Sequence, residues 1–299
     1  MQHQLYVYRT SLRSTGLTRP PNAIERGHFS QIDGPLVSCL MVTRGATALV
    51  RSAVAAFHAQ TYLNKELVVV CDAGAPALAE LAGAPGIRVI DVSTGHSLGH
   101  LRNVSIAQAR GDIVCQWDDD DLYAPFRLAH GVGALLQARL DAVFLRQWML
   151  WSPSRQALVL SGSALWEGSM IARKAALGPY PGLRRGEDTE MVDEMARRST
   201  IAVMDDPLAY AYVMHGQNTW TEEHMQKLMV RSRQRFHYGR GLAAFSSTFD
   251  FAGHPALDEG SRTLLAAYTG DHSQMRRLAR HVRVNQWLRR VRHRLGRHI

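Results

Sequence analysis

Four consecutive aspartates, Asp118 to Asp121, directly follow the apolar run Ile113-Val114-Cys115-Gln116-Trp117. Such a run reads as a buried strand, so the acids stand where it emerges into solvent. Two like unit charges about 4 Å apart repel by roughly 4 kcal/mol at an effective dielectric near 20. A fold keeps such a cluster where something offsets that repulsion, and a divalent cation carrying a phosphorylated ligand would do so. Hard carboxylate oxygens suit Mg2+ or Mn2+, which commonly complete their shell with substrate phosphates. The competing reading is an acidic, solvated turn. Against it, this one run holds a quarter of the aspartates in the chain. His96 and His100 have the four-residue spacing of a paired metal site on a helix, but Gly99 lies between them and no acid accompanies them, so they read as a solvated loop face.

A charge cluster of this kind needs a rigid support. Between Pro35 and about His215, short apolar runs alternate with helical stretches. Strands are expected at 36–43, 66–72, 86–92 and 112–117, and helices at 46–60, 97–110 and 125–138. Continuous apolar strands separated by helices imply an α/β fold with a mostly parallel sheet covered on both faces. Ligands of such sheets bind beyond the carboxyl ends of the strands, so Asp72 and Asp118 to Asp121 should face one crevice. The second half is more mixed. Short strands are expected at 141–146, 157–160, 168–173, 201–204 and 209–214, with a helix at 187–198. Residues 1–34, with Pro20-Pro21 and several Gly and Ser, form either a loose arm or an edge-strand extension.

The chain has 299 residues, 46% of them hydrophobic, enough for one large domain with appendages or two modest ones. No stretch approaches the roughly 20 continuous apolar residues of a membrane span, and Met1-Gln2-His3-Gln4 opens no signal-peptide pattern, so a cytoplasmic location is expected. Cys39, Cys71 and Cys115 each lie in an apolar strand-like segment and read as reduced core residues rather than a disulfide framework or zinc site. The net charge of +9 is matched by nine arginines between Met275 and Ile299, where no acid occurs. Leu278, Val282, Trp287, Leu288, Val291 and Leu295 share one helical face there, giving a basic amphipathic helix. That helix could lie on an anionic membrane surface, placing the protein at the inner face of the membrane, or dock on its own domain or in a homodimer. One tryptophan offers little base stacking, so nucleic acid is not an expected partner.

The strand "PLVSCLMVTRG", the helix end "AFHAQTY", the strand "ELVVVCDAG", the segment "LRNVSIAQARGDIVCQWDDDDLYAP" and the later "GEDTEMVDEMARR" resemble, in order and spacing, the family 2 glycosyltransferases of the GT-A fold. The resemblance covers roughly residues 36–220. It implies a GT-A fold, with a Rossmann-like sheet flanked by helices, over residues 35–220. Residues 1–34 would be an N-terminal extension, and 221–299 a helical C-terminal region ending in the basic tail. It further implies a metal-dependent, inverting transferase with Mn2+ or Mg2+. Such an enzyme moves a sugar from a UDP- or GDP-linked donor to a glycan or lipid-linked acceptor, in surface polysaccharide assembly. Two other classes stay open: a catalytically silent sugar-nucleotide or glycan-binding module of the same fold, and a nucleotidyltransferase.

By the same resemblance, Asp118 and Asp120 fit the Asp-x-Asp metal signature, with Asp120 the first choice of ligand, Asp121 a ligand if the frame shifts by one, and Asp119 beside the nucleotide. His215 resembles a late histidine that completes the metal site in some members; neutral imidazole suits manganese. Thr43, Arg44, Asp72, Arg102 and Asn103 match positions that face the nucleotide. In Glu187-Asp188, ahead of a helix, the aspartate matches the usual base and Glu187 a supporting or acceptor-contacting group. A sugar hydroxyl attacks competently when a carboxylate within about 2.6 to 3.2 Å takes its proton; helix capping is the second role open to these acids. Arg184 or Arg185 could assist a phosphate. Trp166, Gly168 and Ser169 lie where members line the acceptor side.

Overall fold

The computed structural model describes residues 2–9, 20–45, 47–72, 76–81, 83–92 and 94–268. The basic tail expected at 275–299 lies outside them. In chain order the elements are β1 (His3–Arg9), β2 (Ala23–Gly27), β3 (Val37–Thr43), α1 (Thr47–His58), β4 (Lys65–Cys71), β5 (Ile87–Asp91), α2 (Leu98–Gln108), β6 (Ile113–Gln116), β7 (Leu122–Tyr123) and α3 (Arg127–Gln137). There follow β8 (Ala142–Leu145), β9 (Met149–Ser152), β10 (Ala157–Leu160), β11 (Trp166–Arg173), α4 (Glu187–Arg198), β12 (Thr200–Met204), β13 (Tyr210–Val213), α5 (Glu222–Val230), β14 (Gln234–Arg235), α6 (Tyr238–Phe245) and α7 (Glu259–Tyr268).

Nine strands form one sheet in the order β2-β1-β12-β8-β11-β6-β3-β4-β5. Successive side chains of a strand point to opposite faces, and in β4 both sets are apolar from Leu67 onward. Leu67, Val69 and Cys71 join the core beneath α1 and α3, while Val68 and Val70 join the core beneath α2 and α4. Val50, Ala53 and Phe57 of α1 and Leu128, Val132 and Leu135 of α3 fill the first layer; Leu101 of α2 and Met191, Val192 and Met195 of α4 fill the second. All three cysteines are buried and free.

Parallel pairing is confined to β6-β3-β4-β5 and to β12 beside β8. The other four pairings of this sheet are antiparallel, because β11 returns between β6 and β8 and the β1–β2 hairpin caps the β12 edge. The sheet is therefore more mixed than its apolar runs imply. Strands buried on both faces carry the same sequence pattern in either direction. Of the two expectations for residues 1–34, the described part shows the edge strands.

A second sheet, β14-β10-β9-β13-β7, stands at the end of the first where β6 emerges. Its β7 lies directly after the aspartate run. Leu122, Met149, Trp151 and Leu158 pack there against Leu242, Phe245, Phe249, Phe251 and Leu265 of the C-terminal segment. Among the described residues no helix is long and apolar enough to cross a membrane.

Candidate active site

Because β3, β4 and β6 run parallel, Thr43, Asp72 and Asp118 share one rim of the sheet. The chain beyond β6 is anchored there twice: the Trp117 amide donates to the Leu40 carbonyl at 3.0 Å, and the Trp117 indole donates to the Ala53 carbonyl at 3.1 Å. From that fixed point the four aspartates fan out. Asp118 accepts from Gln116 Nε2 at 3.3 Å and faces Arg102 Nη2 at 3.4 Å. Asp119 accepts from the Thr43 hydroxyl. Asp120 Oδ2 lies 2.9 Å from His215 Nε2, with Asn218 Nδ2 at 3.4 Å. These three acids line a cleft of about 620 Å³, within the usual range for a small-molecule site.

Asp121, expected as a metal ligand under the shifted frame, points away from the cleft. It is 1% exposed, and its two oxygens accept from the Tyr210 hydroxyl and from the Val213 amide at 2.7 Å. Its carboxylate straps the aspartate loop to β13, and of the four acids it is the one that does not line the cleft. Behind the loop, buried His254 touches the Asp120 carbonyl through Nε2 at 3.2 Å. The Ala256 amide donates to His254 Nδ1 at 3.2 Å, so the proton sits on Nε2 and the ring donates to Asp120.

A divalent cation fits Asp120 and His215. Neighbouring ligands of an octahedral ion with bonds of about 2.1 Å stand about 3 Å apart, and this pair stands at 2.9 Å. No three His, Cys, Asp or Glu side chains of the cleft converge within 4.8 Å among the described residues, so an ion bound there would take part of its shell from other groups. The acids also carry the mark of an uncompensated cluster. Burial first, and Asp120 next, push Asp119 up from 3.8 to about 7, and the same causes raise Asp121 well above its ordinary value. Asp118 is raised too, chiefly by burial.

These shifts have a sign. A carboxyl that holds its proton more tightly in the folded than in the unfolded chain adds stability below 3.8, and that stability is lost as pH rises through the folded value of about 7. Asp119→Asn removes the charge and keeps an acceptor for Thr43. In a chelator at about pH 8 it should be more stable than the wild type by on the order of 3 kcal/mol, the gap closing toward about pH 4. Thermal melts of both chains across pH check this, and a gap between them that stays the same from about pH 4 to about pH 8 would refute it.

On the opposite wall, α4 begins with Glu187 and Asp188. The chain enters it through Gly186 in the left-handed region at φ 77°, where a side chain would be strained. Asp188 lines the cleft and accepts from the Thr189 amide at 2.9 Å, so it caps the helix as well. Burial is the main cause that raises its pKa, with Glu187 adding and Arg102 opposing. Glu187 is 2% exposed and receives Arg102 Nε at 2.8 Å. Arg102 thus spans the two acid groups, Asp118 on one side and Glu187 on the other. Arg102, expected at the nucleotide, also lines the cleft from this bridge. The bridge requires α2 close to the loop before α4. Gly99 makes that approach: a Cβ there would sit 1.8 Å from the Pro181 carbonyl oxygen. This close contact also explains the glycine between His96 and His100, whose rings simply stack at 4.2 Å.

Asn103, also expected at the nucleotide, spends its amide elsewhere. Its Nδ2 donates to the Tyr180 carbonyl and its Oδ1 accepts from the Tyr180 amide, each at 2.8 Å. Arg44 is exposed and Asp72 buried at the rim. Trp166 lines the cleft, stacked on Trp148 at 4.7 Å, which in turn stacks on Tyr210 at 4.8 Å. Gly168 lines it too; a Cβ there would already touch Trp148 and Tyr210 at 3.4 Å. Ser169 does not reach the cleft. β11 shifts register between Trp166 and Ile171, and the buried Ser169 hydroxyl mends that irregularity, accepting from the Leu145 amide at 2.8 Å and donating to the Trp166 carbonyl at 2.6 Å. At the mouth, Arg185 lies over the Trp220 ring at 5.7 Å, and Trp220 stacks on His224 at 4.3 Å; Arg184 is exposed.

Sequence reading missed Arg127. Buried behind the aspartates, it lies within 4.6 to 5.3 Å of the Tyr123, Tyr210 and Trp117 rings and donates to the Gln116 carbonyl at 2.9 Å. It is a fixed positive charge under the cluster. Trp148, Tyr210 and His254 were also missed.

Residues 38–149 match the family model described as Glycosyl transferase family 2. Among solved structures, the mannosyltransferase PcManGT from Pyrobaculum calidifontis in complex with GDP-Man and Mn2+ aligns at TM-score 0.50 and 17% identity, covering 84% of this chain and 80% of that one. S. aureus TarS 1–349 aligns at TM-score 0.50 in complex with UDP (16% identity, 79% and 71% covered) and in complex with UDP-GlcNAc (17% identity, 79% and 72% covered). At such identities the likeness shows a shared fold. No curated protein sequence matches the chain. The aspartate run and the mixed nine-stranded sheet thus stand in a chain whose residues 38–149 match Glycosyl transferase family 2 and whose fold is shared with these glycosyltransferase structures.

Proposed function

We propose that this enzyme transfers a sugar from a nucleoside diphosphate donor to an acceptor alcohol on a glycan or lipid-linked glycan, with inversion and with a divalent cation, in surface polysaccharide assembly. The observation that carries the reading is Arg102, whose single guanidinium joins Asp118 of the aspartate loop to Glu187 beside Asp188 across one cleft. Asp120 and His215 would hold Mn2+ or Mg2+, with Asp118 reaching the ion's water shell. When bound, such an ion neutralises charge on the departing diphosphate. The incomplete shell suits a donor whose phosphate oxygens supply the remaining ligands.

Asp188 stands on the other wall as the base that takes the acceptor proton, its pKa raised by burial, which makes it a stronger base than an ordinary aspartate. A single base on the wall opposite the aspartates favours direct displacement, which inverts the anomeric centre. Trp166 and Trp148 offer a stacking face to a sugar ring. The complexes of PcManGT with GDP-Man and Mn2+ and of TarS with UDP-GlcNAc make GDP- and UDP-linked donors the first to try.

Donor hydrolysis measured across UDP- and GDP-sugars, with and without Mn2+, tests the reading. We expect release of nucleoside diphosphate that depends on the ion and falls about 100-fold or more in Asp120→Ala. Release of pyrophosphate would indicate a nucleotidyltransferase, and binding without turnover a silent module.

A further inference from the structure

A second cluster of ligating side chains lies outside the cleft. His3 opens β1, His130 lies on α3 and Asp206 follows β12, and none of the three lines the donor cleft. One candidate ligand atom from each falls within 4.8 Å of the other two, the only such group of three His, Cys, Asp or Glu among the described residues. Asp206 Oδ2 stands 2.8 Å from His130 Nδ1 and 3.6 Å from His3 Nε2. His3 is 2% exposed and Asp206 4%, and neither ring nitrogen of His3 makes a hydrogen bond. A buried polar group without a partner is rare and calls for a reason such as an ion. His3 Nε2 is aimed at a carboxylate oxygen already in contact with a second imidazole, from too far for a hydrogen bond.

From this geometry we infer that His3, His130 and Asp206 form a zinc site. Two imidazoles and one carboxylate are a common nitrogen–oxygen ligand set for Zn2+. Ligands about 2.0 to 2.1 Å from a tetrahedral ion stand about 3.3 Å apart, and the distances of 2.8 and 3.6 Å straddle that value. His130 keeps some exposure, which leaves a side for water as the fourth ligand.

The segments so joined are far apart in sequence. β1 pairs with β12, the Asp205 amide donates to the Gln4 carbonyl at 2.9 Å, and α3 covers the adjoining face. Zinc there would staple the N-terminal hairpin to the body of the sheet, a structural role separate from glycosyl transfer.

The test uses the full chain stripped of metal, loaded with Zn2+, dialysed, and measured for metal content and melting temperature. A His215→Ala chain excludes zinc held by the cleft. It should retain one zinc per chain and melt higher for it. Adding His3→Gln or Asp206→Asn should remove that zinc and the rise in melting temperature. Co2+ bound to the His215→Ala chain should give the visible bands of a four-coordinate nitrogen–oxygen site, a reading that needs no change in the cluster. Octahedral cobalt, a His215→Ala chain that retains no zinc, or undiminished zinc in His3→Gln would each overturn the assignment.

Discussion

Asp188→Asn is expected to lower turnover by roughly 10²- to 10⁴-fold, the usual contribution of a positioned general base, while donor affinity stays within about twofold. The asparagine keeps the shape of the side chain and an oxygen that can accept from the Thr189 amide, which Asp188 now does at 2.9 Å. The cap is therefore retained, and helix stability should change by less than about 1 kcal/mol. What is lost is the ability to take a proton. Steady-state kinetics beside calorimetric donor binding separate these effects, since a loss confined to turnover marks an interaction made in the transition state. The wild-type rate should also fall on the acid side of a pKa higher than an ordinary aspartate's, because burial favours the protonated acid. That acid limb should vanish in the variant. A variant that turns over at the wild-type rate would remove Asp188 from the mechanism.

Much of this arrangement was legible because its parts are local. An apolar run ending in acids fixes a strand and the rim at its end, so the placing of Asp118 and Asp120 followed from the pattern around Ile113 to Gln116. Gly186 with Glu187-Asp188 similarly marks a helix start. What the sequence hid are contacts between distant positions. The amide of Asn103 looks the same whether it faces a nucleotide or, as here, clamps the Tyr180 backbone 77 positions away. Asp121 differs from its neighbours only in meeting Tyr210 and Val213, residues of a second sheet whose β7, β9 and β14 are too short to announce themselves. Ser169 could be assigned to a register irregularity only once β8 and β11 were paired. Direction of pairing was hidden for a related reason, since doubly buried strands are apolar throughout whichever way they run.

Arg102→Met should be the most destabilising change at the site. The methionine keeps a long, helix-compatible side chain on α2, but it leaves Glu187, 2% exposed, without the guanidinium now 2.8 Å away, and Asp118 without its cation at 3.4 Å. Removing one partner of a buried ion pair typically costs 3 to 5 kcal/mol, because the remaining charge is stranded. At about 2 to 4 °C per kcal/mol for a protein of this size, the melting temperature should drop by on the order of 10 °C. The drop should shrink as pH falls, since stranded buried acids relieve themselves by taking up protons. Adding Glu187→Gln removes the stranded charge and should restore most of the stability, giving a coupling energy of on the order of 2 kcal/mol in a double-mutant cycle. Turnover should not return with it. Neither variant retains a cation joining the aspartate loop to the helix that carries Asp188, and a misplacement of about 1 Å can cost on the order of 100-fold in rate. Full activity in the stable double variant would mean that Arg102 only offsets charge. An Arg102→Met chain as stable as the wild type would mean that the bridge does not hold the two walls together.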